Sequence, residues 1–271
     1  MVCTVEIGGN QIQLETREGI DISIPLSFQA KQLKFFGVPK GTAKAYTENK
    51  YIGSTLRGGG CNVDSVSFIP HCHMTHTECV GHIVHENIFV NQLLINGFKT
   101  AGLITVTPSN PTGDDESNLG KQKSSDVMIP GKSVENALKD LPYPVEVLVV
   151  RTLPNDSSKL TKVYSEKDVP PYFTLDAIEC LKQNKIEHLC IDLPSLDRTN
   201  DGGLLASHHL FWDVPIGEKS LKDKMPSSKT ITELAYIPPE LNDGFYIITL
   251  QVSNFSLDAA PSRPVLYPVT L

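Results

Sequence analysis

Apolar and polar positions alternate, imperfectly, over residues 2–14, with a break at Gly8-Gly9-Asn10. Alternation with period two buries one face of a strand, and a Gly-Asn break suits a tight turn, so the pattern predicts a β-hairpin. Asp21-Ile22-Ser23-Ile24-Pro25-Leu26 reads as a short extended segment that Pro25 ends, because proline has no N–H for a strand ladder. Residues 63–69 predict another strand, leading into a His-rich segment. Apolar runs follow at Ile88-Phe89-Val90 and Leu93-Leu94-Ile95-Asn96-Gly97, and residues 103–106 predict a further strand.

In the second half, the β-branched run at 145–151 predicts a buried strand. Leu175, Ile178 and Leu181 share one helical face, Thr174 is an N-cap residue type and Asn184 suits the helix end. His188-Leu189-Cys190-Ile191-Asp192 is then a strand, and residues 244–252 give a terminal one. Strand, helix, strand in this order is a βαβ-type unit, so the expectation is an α/β fold with a mixed sheet.

Two segments follow neither period. Residues 42–61 are polar and glycine-rich and close on Arg57-Gly58-Gly59-Gly60-Cys61-Asn62. Three glycines admit backbone conformations closed to other residues, or close approach of a ligand; the same run also reads as a surface loop. Arg57 and the glycines are candidates for positioning a substrate. Residues 108–132 are rich in Ser, Asn, Gly, Pro and Lys without periodicity, which predicts a mobile insertion. No shift of composition divides the chain, so residues 1–271 are read as one domain.

Composition narrows the classes. With 40% hydrophobic and 20% charged residues the chain is a soluble globular protein with ample material for a core. A formal net charge of -7 and no basic cluster argue against a nucleic-acid partner. No apolar stretch has bilayer length, which argues against a membrane partner. Met1-Val2-Cys3-Thr4-Val5-Glu6 shows no basic segment before an apolar run, so the expected location is the cytoplasm. Six scattered cysteines without a CxxC predict free thiols, with Cys180 and Cys190 in the core.

The chemistry concentrates in His71-Cys72-His73-Met74-Thr75-His76-Thr77-Glu78-Cys79-Val80-Gly81-His82, which holds four of the eight histidines. Imidazole, carboxylate and thiolate are the ligands transition metals prefer. In an extended chain His76 and Glu78 share a face, Cys72 lies on the same side, and His71 and His73 point away. Gly81 lets the chain turn so that His82 returns to the site. This spacing predicts Cys72, His76 and Glu78 as ligands of Zn²⁺ or Mn²⁺ with positions open to water, and a nearby histidine to move protons. Other motifs fail. His85-Glu86 lacks the second His of HExxH, and His76-Thr77-Glu78 lacks the Pro-Cys-x-x-Cys of nucleobase deaminases. Neither a GxSxG elbow, a P-loop nor GxGxxG spacing is present.

The same segment resembles the cyclase-like metal hydrolases, which include bacterial-type kynurenine formamidase (arylformamidase) and isatin hydrolase. Their pattern is His-x-Gly-Thr-His-x-Asp-x-Pro-x-His. Thr75-His76 falls on its Thr-His, Glu78 on its Asp and His82 on its last His. Residues 21–26 are similar to the family's opening Asp-Leu-Ser-His-Pro, residues 191–197 to its Asp-x-Pro-Ser-x-Asp, and residues 258–265 to its Asp-x-Ser-Pro-x-Arg. The resemblance spans nearly the whole chain. Cys72 stands at the first ligand His, Met74 at the Gly and Val80 at the Pro, and His71 and His73 flank the changed ligand position as alternatives. A thiolate there would bias the site toward zinc.

What the resemblance implies is a single domain of the cyclase-like, swivelling β/β/α type, forming a dimer or higher homo-oligomer. It implies one or two ions, Zn²⁺ or Mn²⁺, held by His76, Glu78, the residue at 72, and His208. His209 is the alternative to His208, which is favoured because Phe211-Trp212 follows at the family's spacing. His82 and Glu233 would manage protons. The implied reaction is attack of metal-activated water on the carbonyl of a small amide, formamide or cyclic amide. A cyclising lyase on the same scaffold and a non-catalytic metal-binding homologue are the alternatives.

Overall fold

A computed structural model describes residues 2–7, 9–93, 97–110, 125–165 and 168–270. The N-terminal hairpin pairs β1 (Val2–Ile7) with β2 (Asn10–Glu15), as the alternation predicts. A ribbon of β3 (Thr42–Ala45) and β4 (Asp64–Ser67) precedes one helical turn, α1 (Pro70–His73), and the short β5 (His76–Glu78). Next come β6 (Phe98–Val106), α2 (Gly131–Leu138), β7 (Val147–Thr152), α3 (Leu175–Gln183), β8 (His188–Ile191), α4 (Ala206–Phe211) and β9 (Thr230–Glu233). Three further strands, β10 (Gly244–Thr249), β11 (Ala259–Pro261) and β12 (Val265–Thr270), complete the main sheet.

That sheet runs β1-β2-β12-β10-β6-β7-β8-β9-β5-β11, with Ile20–Asp21 paired to β12. The centre, β6 to β9, is parallel because each connection carries a crossover helix; the flanking pairs are antiparallel. The chain is thus a single α/β domain around one mixed sheet. Alternate residues of the central strands serve two cores. Ile104, Leu148, Val150, Leu189 and Ile191 meet Val134, Ile178, Leu181 and Phe211 of the helices. Leu103, Val147, Val149 and Cys190 pack on the other face with Ile248 and Leu266. Because both faces are covered, the central strands read as unbroken apolar runs rather than alternating ones. Asp192, at the end of β8, ties that strand to β7: it accepts hydrogen bonds from Thr152 N (2.8 Å), Thr152 Oγ1 (2.8 Å) and Lys159 Nζ (2.7 Å). Cys180 and Cys190 are buried, and all six cysteines are free. Among the described residues no helix is long and apolar enough to cross a membrane.

Some local expectations change. Residues 70–73 are helical, not extended, because Pro70 occupies the first helical position, where its fixed φ and missing N–H suit a helix start. The apolar run at 88–90 leads into a 3-10 turn over Val90–Gln92, and residues 94–96 of the next run lie outside the described residues. Of the segment 108–132, residues 111–124 lie outside the described residues. The rest is structured: Ser109 bridges Met128, Met128–Ile129 pairs with Tyr172–Phe173, and Gly131 opens α2.

One core histidine makes stability depend on pH. His188 is buried in β8 with Nδ1 2.8 Å from Thr230 Oγ1. Burial, with Lys99 nearby, pushes its pKa down to about 4 from an ordinary 6.5. The unfolded chain therefore takes up a proton that the folded chain refuses. Its contribution is full above pH 6.5 and is lost as the pH falls toward 4, a loss of about 3 kcal/mol. Thermal midpoints of His188→Gln should fall less than those of the parent over that interval; parallel acid limbs would contradict this.

Candidate metal centre

β5 lies between β9 and β11, antiparallel to both. Alternation along β5 sends His76 and Glu78 to one side and Thr77 to the other, where Thr77 Oγ1 meets Thr232 Oγ1 at 2.7 Å. The register places Glu233 of β9 opposite His76, so residues 157 positions apart become cross-strand neighbours, with His76 Nε2 3.5 Å from Glu233 Oε2. Thr75 locks this arrangement. Its Oγ1 accepts from Ile24 N (2.6 Å) and donates to the Leu234 carbonyl. His76 Nδ1 lies 3.1 Å from the Met74 carbonyl. A carbonyl only accepts, so Nδ1 carries the proton and Nε2 keeps its lone pair.

The helical turn decides the next residue. Successive side chains in a helix diverge by about 100°, not the 180° of a strand, so the parity that puts Cys72 beside His76 does not hold there. Cys72 turns into an apolar cluster with Ile24, Leu33, Phe35, Tyr164 and Leu234. Burial, with the Glu233 charge adding to it, pushes its thiol up to about 11, so it stays protonated at neutral pH. His71 instead faces the site, with Nε2 3.5 Å from Glu78 Oε2 and 3.3 Å from Asp258 Oδ2. His73 has both ring nitrogens occupied: Nδ1 accepts from Ile69 N and Nε2 donates to the Pro39 carbonyl, each at 2.9 Å.

Glu78 is the hub. Its Oε2 faces His71 and, at 3.8 Å, His82 Nε2; its Oε1 accepts from His208 Nε2 at 2.8 Å. Three sets of donor atoms converge: His71, His76 and Glu78; His71, His82 and Asp258; Glu78, His208 and Glu233. Cys72 belongs to none of them. His209 does not either, so α4 presents His208. The outer partners are equally defined. Asp197 accepts from His208 Nδ1 (2.6 Å), His208 N (3.2 Å) and Ser207 N (2.7 Å). Asp258 Oδ2 lies 3.0 Å from His82 Nδ1, and Glu233 Oε1 accepts from Leu196 N at 3.1 Å.

Charge follows from this crowding. Burial alone would raise the Glu78 carboxyl, but His82, His208 and His71 outweigh it and hold the group well below the usual carboxylate range. Burial likewise opposes charge on His208, yet Glu78, Asp197 and Glu233 raise its pKa well above the ordinary value. Asp258, between His71 and His82, is depressed despite its burial. The anionic pocket thus recruits positive charge, as protons in the cation-free chain or as a metal ion.

The residues fit an ion. His71 Nε2 and His76 Nε2 are buried without a hydrogen-bond partner among the described residues, an unusual state for polar atoms unless something binds them. The 3.5 Å between His71 Nε2 and Glu78 Oε2 matches the ~3.4 Å edge of a tetrahedron whose ligands lie ~2.1 Å from zinc. Two imidazoles and one carboxylate are also a ligand set of catalytic zinc sites. Sequence reasoning missed Asp197 and Asp258 as partners of the histidines, although both lie in the segments that carry the family resemblance. His71 was legible only as an alternative to Cys72.

Comparison with known proteins agrees with this frame. No curated protein sequence matches the chain. A structure described as a "Potential Metal-Dependent Hydrolase With Cyclase Activity" superposes with a TM-score of 0.60 at 13% identity, covering 92% of this chain and 96% of the other. An isatin hydrolase bound to the product analogue thioisatinate gives 0.56 at 16% identity, covering 93% of each chain. Isatin hydrolase A from Labrenzia aggregata, bound to benzyl benzoate, gives 0.57 at 13% identity, covering 92% and 93%. At these identities the likeness establishes the shared fold. The Cyclase profile, described as "Putative cyclase", matches residues 20–198, which include β5, α1 and Asp197. The chain belongs to the Cyclase family.

Proposed function

We infer that this protein is a metal-dependent hydrolase acting on the C–N bond of a small cyclic amide, amide or formamide. The observation that carries the reading is the convergence of His71, His76 and Glu78, with two buried imidazole nitrogens that have no hydrogen-bond partner among the described residues. These three residues would hold the ion, and Glu78, whose two oxygens serve different donor sets, would share a second one with His208 and Glu233. Nitrogen and oxygen donors without a thiolate accommodate zinc and manganese alike. When bound, such an ion lowers the pKa of water toward ~7 and polarises a carbonyl oxygen.

The remaining residues supply orientation and proton movement. His82 is partly exposed and its Nδ1 donates to Asp258, which leaves Nε2 free to take a proton from the attacking water and return it to the leaving nitrogen. Glu233, fixed by the Leu196 amide, offers Oε2 beside His76 as a second proton acceptor. Asp197 orients His208 so that Nε2 points at Glu78. The fold shared with isatin hydrolases orders the substrates to try: cyclic amides first, N-formyl aromatic amines second.

The test is turnover of isatin and N-formyl aromatic amines in heavy-oxygen water. Hydrolysis places one solvent oxygen in the acid product. A product free of solvent oxygen would replace this reading with a lyase, and full metal occupancy without turnover of any carbonyl substrate would leave a binding protein.

A further inference from the structure

A cavity of about 440 Å³ opens beside Phe35, Phe36 and Tyr164, a volume within the range of small-molecule pockets. The three rings form one wall. Phe35 and Tyr164 meet edge to face with centroids 5.9 Å apart, and Phe36 lies against Phe35 at 3.9 Å. Val163, Val169 and Pro170 add aliphatic surface. Phe36, Val163 and Val169 are all exposed. Single apolar side chains on a surface are ordinary, but three gathered around one concavity mark a place where something binds.

The backbone and the polar groups point the same way. Phe36 has a φ of 55°, in the left-handed region that bulky side chains avoid, and it holds its ring 64% exposed at the rim. Thr199, which also lines the cavity, has a buried Oγ1 with no hydrogen-bond partner among the described residues. None of the described lining residues is charged. The walls are fixed to one another and to the body. Lys34 N donates to Lys162 O (2.9 Å), Tyr164 N to Lys34 O (3.0 Å) and Phe35 N to Cys72 O (3.1 Å). A cavity held in this way loses little entropy when it is filled.

The cavity is separate from the metal centre. No described lining residue belongs to a set of metal donors. Phe35 and Tyr164 share an apolar cluster with Cys72 and Leu234, which turns away from those donors. The partly exposed side chains of the metal centre are His71, His82 and Asp258, and none of them lines the cavity.

We propose that this cavity is a second small-molecule site, which takes a neutral, flat aromatic molecule carrying one hydrogen-bonding group. The ring stacks on the aromatic wall and the polar group meets the Thr199 hydroxyl. An ion would lose its hydration here and find no opposite charge among the described lining residues. The site stands apart from the hydrolase reading, because its occupant touches no metal donor.

Calorimetry with acetanilide as the probe tests this on the full chain, both zinc-loaded and stripped by a chelator. Saturable binding of equal strength is expected in the two forms. Phe36→Gly, which suits the positive φ while removing the ring, should weaken binding roughly tenfold with its circular dichroism unchanged. Thr199→Val should weaken it roughly tenfold, and Thr199→Ser should restore it. Benzoate should bind at least roughly tenfold more weakly than acetanilide. No saturable binding up to the solubility of acetanilide overturns the proposal. So does binding to the zinc-loaded form alone, which would seat the ring at the metal centre. Binding unchanged in both Phe36→Gly and Thr199→Val, or benzoate held as tightly as acetanilide, overturns it as well. The readout needs no turnover, so its failure and that of the proposed reaction are told apart.

Discussion

Replacing His76 with alanine is expected to strip the chain of nearly all bound metal and to lower turnover by roughly a thousand-fold or more. The ring is fully buried and its Nε2 has no hydrogen-bond partner among the described residues, so its lone pair is available to an ion. Loss of the ion would also leave the Glu78 and Glu233 carboxylates, which converge in one donor set, without its charge. An ion held here would supply several kcal/mol of transition-state stabilisation, and each ~1.4 kcal/mol is tenfold in rate. Metal content by mass spectrometry and steady-state turnover measure the two effects independently. His76→Asn, which still offers a donor to the Met74 carbonyl, separates loss of the ligand from loss of the fold. Retained metal in both variants, with a native circular dichroism spectrum, would remove His76 from the site.

The second large effect distinguishes neighbours in sequence. His71→Ala should lose metal, whereas Cys72→Ala should keep it and lose only stability, about 1 kcal/mol for a small buried side chain. His71 Nε2 lies within 3.5 Å of Glu78 Oε2, while the Cys72 thiol sits among Leu33, Phe35 and Tyr164 with its pKa pushed up to about 11. Cobalt substitution adds an optical readout, because a thiolate ligand gives a sulfur-to-cobalt charge-transfer band that an all-nitrogen-and-oxygen site lacks. The cobalt form is expected to show no such band, and Cys72→His should not restore metal to His71→Ala. A thiolate band lost in Cys72→Ala would return the first ligand to Cys72.

These two experiments fall where sequence reasoning met its limit. His76 and Glu78 were legible because a strand alternates, and two polar ligands two residues apart had to share a face. Cys72 was misplaced by the same rule, since Pro70 starts a helical turn and a single turn is too short to announce itself by periodicity. His208 and Glu233 came only through resemblance, because nothing local marks a histidine in α4 as a neighbour of β5. Asp197, the partner of His208, and Asp258, the partner of His82, reach the site by tertiary contact over 11 and 176 positions, where spacing carries no information. The sheet was easier to read. The runs at 145–151 and 188–192 and the helix between them appear as β7, β8 and α3 with boundaries shifted by a few residues. The insertion of β5 between β9 and β11, which creates the site, depends on pairings no single segment encodes.

The most direct test strips the purified chain with a chelator and follows ring opening of isatin as Zn²⁺ or Mn²⁺ is added back. Turnover should be absent from the stripped chain and should rise to a plateau at one or two ions per chain. Turnover that persists without metal, or stays absent with the site full, would contradict the account.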